Sequence, residues 1–250
     1  MATDREVRIA AIADIHFDGQ SKGRLRGTFE EMSREAHILV ICGDLTTHGE
    51  CRQAEGLLDE LEGVNIPIVA VLGNHDYEAD DQVRICEVLS KRGIHVLDGN
   101  NVVIDGIGFA GVKGFGGGFG RHTLGPFGEG IYKEFVQAAL DEALKLETAL
   151  RTLDTETRVA LLHYAPIPET LMGEPEQIYP FMGSSRLLPP LETYGANVVF
   201  HGHAHIGSAE ARTPSGIPVY NVAHSVLERA TGKPYRIWTA GAPERRQRKD

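Results

Sequence analysis

Short apolar runs alternate with polar segments along the first hundred residues. The runs are rich in β-branched side chains, which is typical of buried parallel strands. The polar segments at 24–35, 52–62 and 81–92 are compatible with helices, and the second has Leu57 and Leu61 on one face. This alternation predicts a βαβ series built around a parallel sheet.

The pattern changes near residue 101. Two short strands at 102–104 and 107–112 are joined by Asp105-Gly106, a pair that suits a hairpin and begins a second, partly antiparallel sheet. Residues 134–153 carry leucines among charges without Gly or Pro, which predicts a helix. Further strands are predicted near Val159, Val198, Ala209, Val219 and Arg236. The fold class is therefore α/β with two mixed sheets.

Two irregular stretches interrupt this order. Residues 111–130 are rich in glycine and contain Phe115, Phe119 and Phe127, but they lack the strand context and the Lys-Ser/Thr ending of a phosphate-binding loop. We interpret this stretch as a mobile loop with apolar anchors. Residues 166–190 are rich in proline and lie between two predicted strands, where loops commonly shape substrate access.

Chain length and net charge limit the classes of protein to which this chain can belong. A chain of 250 residues fits one domain, here 1–243 with the two loops as insertions, followed by a basic flexible tail at 244–250. The net charge of −10 disfavours stable binding to nucleic acids. The first apolar stretch is too short for a secretory signal or a membrane span, so we expect a cytoplasmic protein without membrane insertion.

Five of the apolar runs end in residue types that bind metals. They end in Asp14 and His16, in Gly43-Asp44, in Gly73-Asn74-His75-Asp76, in His163, and in His201-Gly202-His203-Ala204-His205. Because the carboxyl ends of parallel strands meet at one edge of a sheet, these side chains should form a single polar cluster there.

The chemistry of this cluster points to cations. Asp14 and Asp44 would be costly to place together beside imidazoles unless positive charge neutralised them. Carboxylate, amide and imidazole donors without a thiolate suit two divalent transition-metal ions, Mn²⁺ or Fe first, with Zn²⁺, Co²⁺ or Ni²⁺ also compatible. Two such ions about 3.5–4 Å apart activate a bridging water for hydrolysis of a phosphate ester. A histidine that is not a ligand could then protonate the leaving group.

Taken in order, the motifs resemble those of the calcineurin-like metallophosphoesterases. The motifs are Asp14-Ile15-His16, Gly43-Asp44-Leu45-Thr46-Thr47-His48-Gly49, Gly73-Asn74-His75-Asp76, His163 and Gly202-His203-Ala204-His205. The resemblance runs from residue 7 to about 206. It implies a four-layer α/β/β/α sandwich of two mixed sheets flanked by helices, with the site at their shared edge.

The resemblance also implies the role of each site residue. Metal ligands would be Asp14, His16 and His205 for one ion, Asn74, His163 and His203 for the other, and Asp44 as the bridge between them. His75 would be the acid that protonates the leaving group. Asp76 would orient His75 by accepting its other ring proton.

One departure from the protein Ser/Thr phosphatase branch of that family bears on the substrate. That branch has Asp-Arg before the glycine of the second motif, where this chain has Thr47-His48-Gly49. The missing arginine disfavours a protein phosphatase. The Gly-Asp-Leu-Thr sequence of this motif is similar to that of the branch containing cyclic-nucleotide and glycerophosphodiester phosphodiesterases. This similarity favours a small phosphorylated substrate of the diester type.

Other interpretations remain open at this stage. The enzyme could be a phosphomonoesterase acting on a small metabolite or nucleotide, and a nuclease or a catalytically silent scaffold is less favoured. Three histidines are candidates for substrate contact, namely His48, His122 and His224. His201 would point away from the ligand pair and is interpreted as structural.

Overall fold

A computed structural model describes residues 6–20 and 22–241, so the predicted tail at 244–250 lies outside the described residues. The strands are β1 (Val7–Ile12), β2 (Ile38–Cys42), β3 (Ile68–Val71), β4 (His95–Val96), β5 (Asn100–Ile104), β6 (Ile107–Gly111), β7 (Thr157–Leu161), β8 (Val198–His201), β9 (Glu210–Arg212), β10 (Pro218–Asn221) and β11 (Arg236–Ala240). The helices are α1 (Arg26–Glu35), α2 (Cys51–Glu60), α3 (Gln82–Lys91), α4 (Gly130–Arg151), α5 (Tyr179–Met182), α6 (Leu188–Thr193) and α7 (His224–Thr231).

The strands form two sheets, both of mixed direction. The first has the order β11-β1-β2-β3-β4, with β1 to β4 parallel and β11 antiparallel to β1. The second has the order β5-β6-β7-β8-β10-β9 and is antiparallel at both edges. Its first hairpin turns at Asp105 and Gly106, whose φ angles of 50° and 79° give the left-handed pair that such a turn requires. The predicted βαβ series and hairpin are confirmed.

The sheets pack face to face. Side chains such as Val40, Val71, Phe109 and Phe200 are fully buried between them. The outer face of the first sheet packs against α1, α2 and α3, and the outer face of the second packs against α4 and α6. This is the predicted four-layer sandwich. Its longest helix is α4, and no helix in the described ranges is long and apolar enough to cross a bilayer.

The glycine-rich segment, which we expect to be a mobile loop, is paired with the proline-rich segment, a contact that the sequence did not predict. Its backbone is hydrogen-bonded to the proline-rich segment, with Gly117 N–H donating to the Pro180 carbonyl at 2.7 Å and Gly118 N–H donating to the Gly183 carbonyl at 3.0 Å. Glycine permits this approach, since a Cβ on residue 116 would lie 2.6 Å from the Pro180 oxygen. The predicted apolar anchor exists at Phe119, which is buried, whereas Phe127 is 90% exposed.

Candidate metal centre

The turns that follow the strands hold four of the predicted ligands in an unusual backbone conformation. Asp14, His16, Asp44 and His203 have φ angles of 59°, 45°, 49° and 71°, in the left-handed region that non-glycine residues rarely adopt. Such strain persists where the surrounding structure enforces it, and it concentrates at functional sites. These turns direct the side chains toward the edge where the carboxyl ends of the strands meet.

Three glycines make room for the ligands. A Cβ at Gly43 would lie 2.3 Å from His163 Nδ1, and one at Gly73 would lie 2.1 Å from Asp44 Oδ1. A Cβ at Gly202 would lie 2.4 Å from Asp14 Oδ2. Any side chain at these positions would displace a predicted ligand. The lack of space therefore explains why the motifs have glycine there.

The predicted ligands come together in two groups that share one residue. Within each group the potential ligand atoms lie within 4.8 Å of one another, and the groups are Asp14, His16, Asp44 and His205, and then Asp44, His163 and His203. Asn74 joins the second group, since its Oδ1 is 2.9 Å from His163 Nε2. All seven residues therefore lie in one cluster.

Asp44 lies between the two groups. Its Oδ2 is 3.7 Å from His16 Nε2, and its Oδ1 is 3.4 Å from His163 Nε2. One carboxylate oxygen thus faces each group, which is the arrangement that a carboxylate bridging two cations needs.

The second group brings three potential acceptor atoms into contact. His163 Nδ1–H donates to the Cys42 carbonyl at 3.0 Å, so its Nε2 carries a lone pair. That lone pair faces Asn74 Oδ1 at 2.9 Å and Asp44 Oδ1 at 3.4 Å. Three acceptors in contact repel one another unless a proton or a cation lies among them, and a divalent ion would bind all three at once, so these residues fit such an ion.

Burial sets the protonation of the cluster. It raises the pKa of Asp44 to about 9, with further contributions from the charges of Asp14 and Asp76. Burial also lowers the pKa of His16 to about 4 and that of His203 to about 3, which keeps these imidazoles neutral near pH 7. Neutral imidazole is the form that binds metals. Near pH 7 the metal-free cluster therefore keeps a proton on Asp44, and a cation bound there would replace that proton and use the neutral imidazoles as ligands.

His75 lies beside the cluster with one ring nitrogen fixed. Its backbone N–H donates to Asp44 Oδ1 at 2.9 Å, and its ring Nδ1–H donates to the Thr47 carbonyl at 2.9 Å. The ring meets that of His16 edge-on at 4.7 Å. Because the side chain is 39% exposed, the opposite nitrogen, Nε2, can reach a substrate.

Asp76 does not have the role that the sequence predicted for it. Its buried carboxylate accepts hydrogen bonds from the backbone N–H groups of Leu45, Thr46 and Gly73 at 2.8–3.1 Å and from the Thr46 hydroxyl at 2.7 Å. The partner of the His75 ring is the Thr47 carbonyl instead. Asp76 points inward because those donors surround it, and it joins the turns that carry Asp44 and Asn74.

The three histidines predicted to contact substrate occupy different surroundings. His224 Nδ1 is 2.7 Å from the Asp14 carbonyl, so this ring borders the cluster. His48 is exposed, and its Nδ1 lies 3.6 Å from Oε1 of Glu78, which in turn lies beside His75. His122 is exposed beside Arg121, and within the described ranges no hydrogen bond joins it to the cluster. His201 is buried and bonded to Thr170, in agreement with a structural role.

Two residues at the site were missed by sequence reasoning. The carboxylate of Glu78 lies 3.5 Å from His75 Nδ1, and the ring of Tyr164 lies 4.5 Å from that of His203. Tyr164 directly follows His163, so its position next to a predicted ligand could have identified it as a site residue. Glu78 follows a single 3₁₀ turn, His75–Tyr77, that no pattern indicated.

Comparison with known proteins gives a family and a fold. Residues 7–207 match the sequence model of the calcineurin-like phosphoesterase family. A curated protein of Xenorhabdus bovienii, described as a probable cyclic nucleotide phosphodiesterase, is 23% identical over 109 residues, or 38% of this chain. The match spans only 44% of that relative's length.

Solved structures show the same fold at low identity. The phosphopantetheinyl hydrolase of Mycobacterium tuberculosis superposes with a TM-score of 0.64 at 15% identity, covering 94% of this chain and 96% of the other. The protein TT1561 of Thermus thermophilus gives a TM-score of 0.55 at 15% identity, covering 94% and 99%. At these identities the likeness concerns the architecture alone.

Proposed function

Because the chain belongs to the calcineurin-like phosphoesterase family, we propose that this phosphoesterase hydrolyses a small phosphodiester at a centre of two divalent metal ions. The observation that carries the proposal is the position of Asp44, with one oxygen facing each group of donors. The family uses divalent metals, and the donors here are the carboxylate, amide and imidazole groups that Mn²⁺ or Fe accept.

The proposed ligand sets follow the two groups. Asp14, His16 and His205 would hold one ion, Asn74, His163 and His203 would hold the other, and Asp44 would bind both. When bound, the pair would supply Lewis acidity and an activated water. The protein itself contributes a dry, fixed frame, since the side chains of Asp14, Asp44 and His163 are at most 1% exposed.

His75 is proposed to protonate the leaving group. Its Nδ1–H is held by the Thr47 carbonyl, which leaves Nε2 as the atom that carries a proton to the departing ester oxygen. The contact between its backbone N–H and Asp44 fixes the ring relative to the bridging carboxylate. His75 thus acts next to the metal ligands without being one of them.

The charge beside His75 supports a diester rather than a monoester. Glu78 places one carboxylate oxygen 3.5 Å from His75 Nδ1 and the other 3.6 Å from His48 Nδ1. A phosphomonoester is a dianion near neutral pH, whereas a phosphodiester carries one negative charge. The negative side chain therefore disfavours the monoester more strongly. The position where the protein phosphatase branch has an arginine holds His48, which is exposed.

The test is a comparison of two esters on one enzyme preparation. Protein stripped with a chelator and reloaded with Mn²⁺ is assayed on bis(4-nitrophenyl) phosphate and on 4-nitrophenyl phosphate, with Asp44→Asn as the inactive control. We expect a metal-dependent rate that is higher on the diester. A higher rate on the monoester would make the protein a phosphomonoesterase, and metal binding without any hydrolysis would favour the silent scaffold.

A further inference from the structure

A cleft of about 400 Å³ opens directly beside the second group of ligands. Asn74 and His203 of the second group are part of its lining. Its walls are apolar and come from four segments of the chain, with the side chains Phe115, Phe135, Tyr164, Ile178, Phe181 and Met182. The cleft therefore combines two polar side chains of the proposed metal site with an otherwise apolar lining.

The aromatic walls form a connected series of rings. Phe115 lies 4.9 Å from Phe135 between ring centroids, and Phe135 lies 6.2 Å from Phe181. Phe115 also lies 5.9 Å from Tyr164, whose ring is 4.5 Å from that of His203. These separations are in the range of favourable tilted and edge-on contacts, so a further planar ring can join the series.

The cleft is held in place by the pairing of the two loops. Gly117 N–H donates to the Pro180 carbonyl at 2.7 Å, and a Cβ on Gly116 would lie 3.3 Å from the Phe135 ring. The carbonyl of Phe181 is 3.2 Å from His203 Nε2, which ties the outer wall to a proposed metal ligand. The walls and the ligands thus keep a fixed relation to each other.

One wall of the cleft is open to solvent. Phe181 is 60% exposed, although its backbone lies beside the cluster, and the residues that line the cleft include no charged side chain, since the His203 imidazole is neutral near pH 7. Exposed aromatic surface next to a polar site is typical of a surface that a ligand covers. A group held here would be recognised through contact with ring faces and edges.

We propose that this cleft binds a planar aromatic group carried by the phosphate ester, with the phosphate at Asn74 and His203. The inference rests on the proposed function, because it assigns the substituent of the ester that the metal centre would cleave. It predicts that selectivity for the substituent depends on the aromatic walls, while affinity for the bare phosphoryl group does not.

The test measures binding with three phosphonates that cannot be hydrolysed. Naphthylmethylphosphonate, decahydronaphthylmethylphosphonate and methylphosphonate are titrated calorimetrically into the Mn²⁺-loaded protein. The decahydronaphthyl compound has the same ring carbons as the naphthyl compound but is saturated and not planar. We expect the naphthyl compound to bind at least about tenfold more tightly than the methyl compound, as burial of one ring predicts, and more tightly than the decahydronaphthyl compound. Equal affinity for the naphthyl and decahydronaphthyl compounds would overturn the assignment of an aromatic group.

Variants locate the effect within the cleft. Phe181→Ala, at an exposed position, and Phe135→Ala should each reduce the preference for naphthyl over methyl to about threefold or less, with methylphosphonate affinity unchanged. Leu144→Ala is the matched control, because Leu144 is 61% exposed on the same helix as Phe135 but does not line the cleft. An unchanged preference in Phe181→Ala would overturn the inference.

The same data separate this inference from the proposed function. Equal affinity for the naphthyl and methyl compounds in a protein that hydrolyses diesters would refute the cleft alone. Absence of metal-dependent binding of all three compounds, together with absence of hydrolysis, would refute both.

Discussion

The metal cluster and the aromatic cleft are neighbours, but the chain builds them in different ways. The cluster consists of side chains at the carboxyl ends of β1, β2, β3, β7 and β8, and its carboxylates are buried. The cleft is built by segments 111–130 and 166–190 together with Tyr164 and the first turns of α4, and one of its walls, Phe181, is exposed. One region depends on the sheets and the other on the pairing of two loops.

This difference separates chemistry from selectivity. The hydrogen-bonded strands hold the proposed metal-ligand atoms of the cluster at fixed separations, which metal binding requires. Loops can differ in length and lining without moving the strand ends, so they are suited to select the substituent of the substrate. Changes in the cluster should therefore affect every ester alike, whereas changes around it should depend on the ester.

Asp44→Asn is the strongest test of the cluster as one unit. Because both proposed metal positions lose a charged ligand at once, turnover should fall by more than the roughly 10⁴-fold that a general acid can contribute. Elemental analysis of the purified protein should show loss of both metals. As a control, Asp59→Asn removes an exposed carboxylate and should change neither quantity. A variant that kept both metals would contradict the bridging role.

His75→Ala separates proton transfer from metal binding. The variant should retain both metals and lose about 10²- to 10⁴-fold in turnover, because only the proton donor is removed. The loss should be smaller for nitrophenyl esters than for alkyl esters, since nitrophenolate leaves without needing a proton. His95→Ala, on the short strand β4 away from the cluster, is the control. Loss of metal in His75→Ala would instead assign the residue to the ligand set.

Asp76→Asn tests whether the hydrogen bonds of this buried carboxylate hold the ligand-bearing turns in place. An amide oxygen accepts less strongly than a carboxylate, and its NH₂ group would face the N–H groups of Leu45, Thr46 and Gly73. We expect metal affinity or activity to fall about 10- to 100-fold, together with a lower thermal stability of the metal-free protein. If only turnover fell and metal affinity did not, Asp76 would act on His75 after all.

The same contrast explains what the sequence could predict. Residues such as Asp14 and His163 were found because each follows an apolar strand, and parallel strands place their ends at one edge. The antiparallel addition of β11 beside β1 was not foreseen, since its partner lies more than two hundred residues earlier in the chain. Local periodicity contains no information on such a pairing.

The role of Asp76 was misjudged for a related reason. Adjacency to His75 favoured a contact between the two side chains, but a 3₁₀ turn at His75–Tyr77 directs Asp76 into the interior. The pairing of segments 111–130 and 166–190 was also missed, because backbone hydrogen bonds between loops leave no pattern in composition. Strand ends are readable from a sequence, and contacts between distant loops are not.

Glu78→Gln should have the smallest effect and tests the boundary between chemistry and selectivity. Removing one negative charge beside His75 and His48 should raise the monoester rate about two- to fivefold relative to the diester rate, a size typical of one exposed charge. The shift should shrink at high ionic strength, because Glu78 is 54% exposed and open to screening. Glu87→Gln, an exposed charge on α3, is the control. An equal change on both esters would place Glu78 with the general chemistry of the cluster and remove its part in substrate choice.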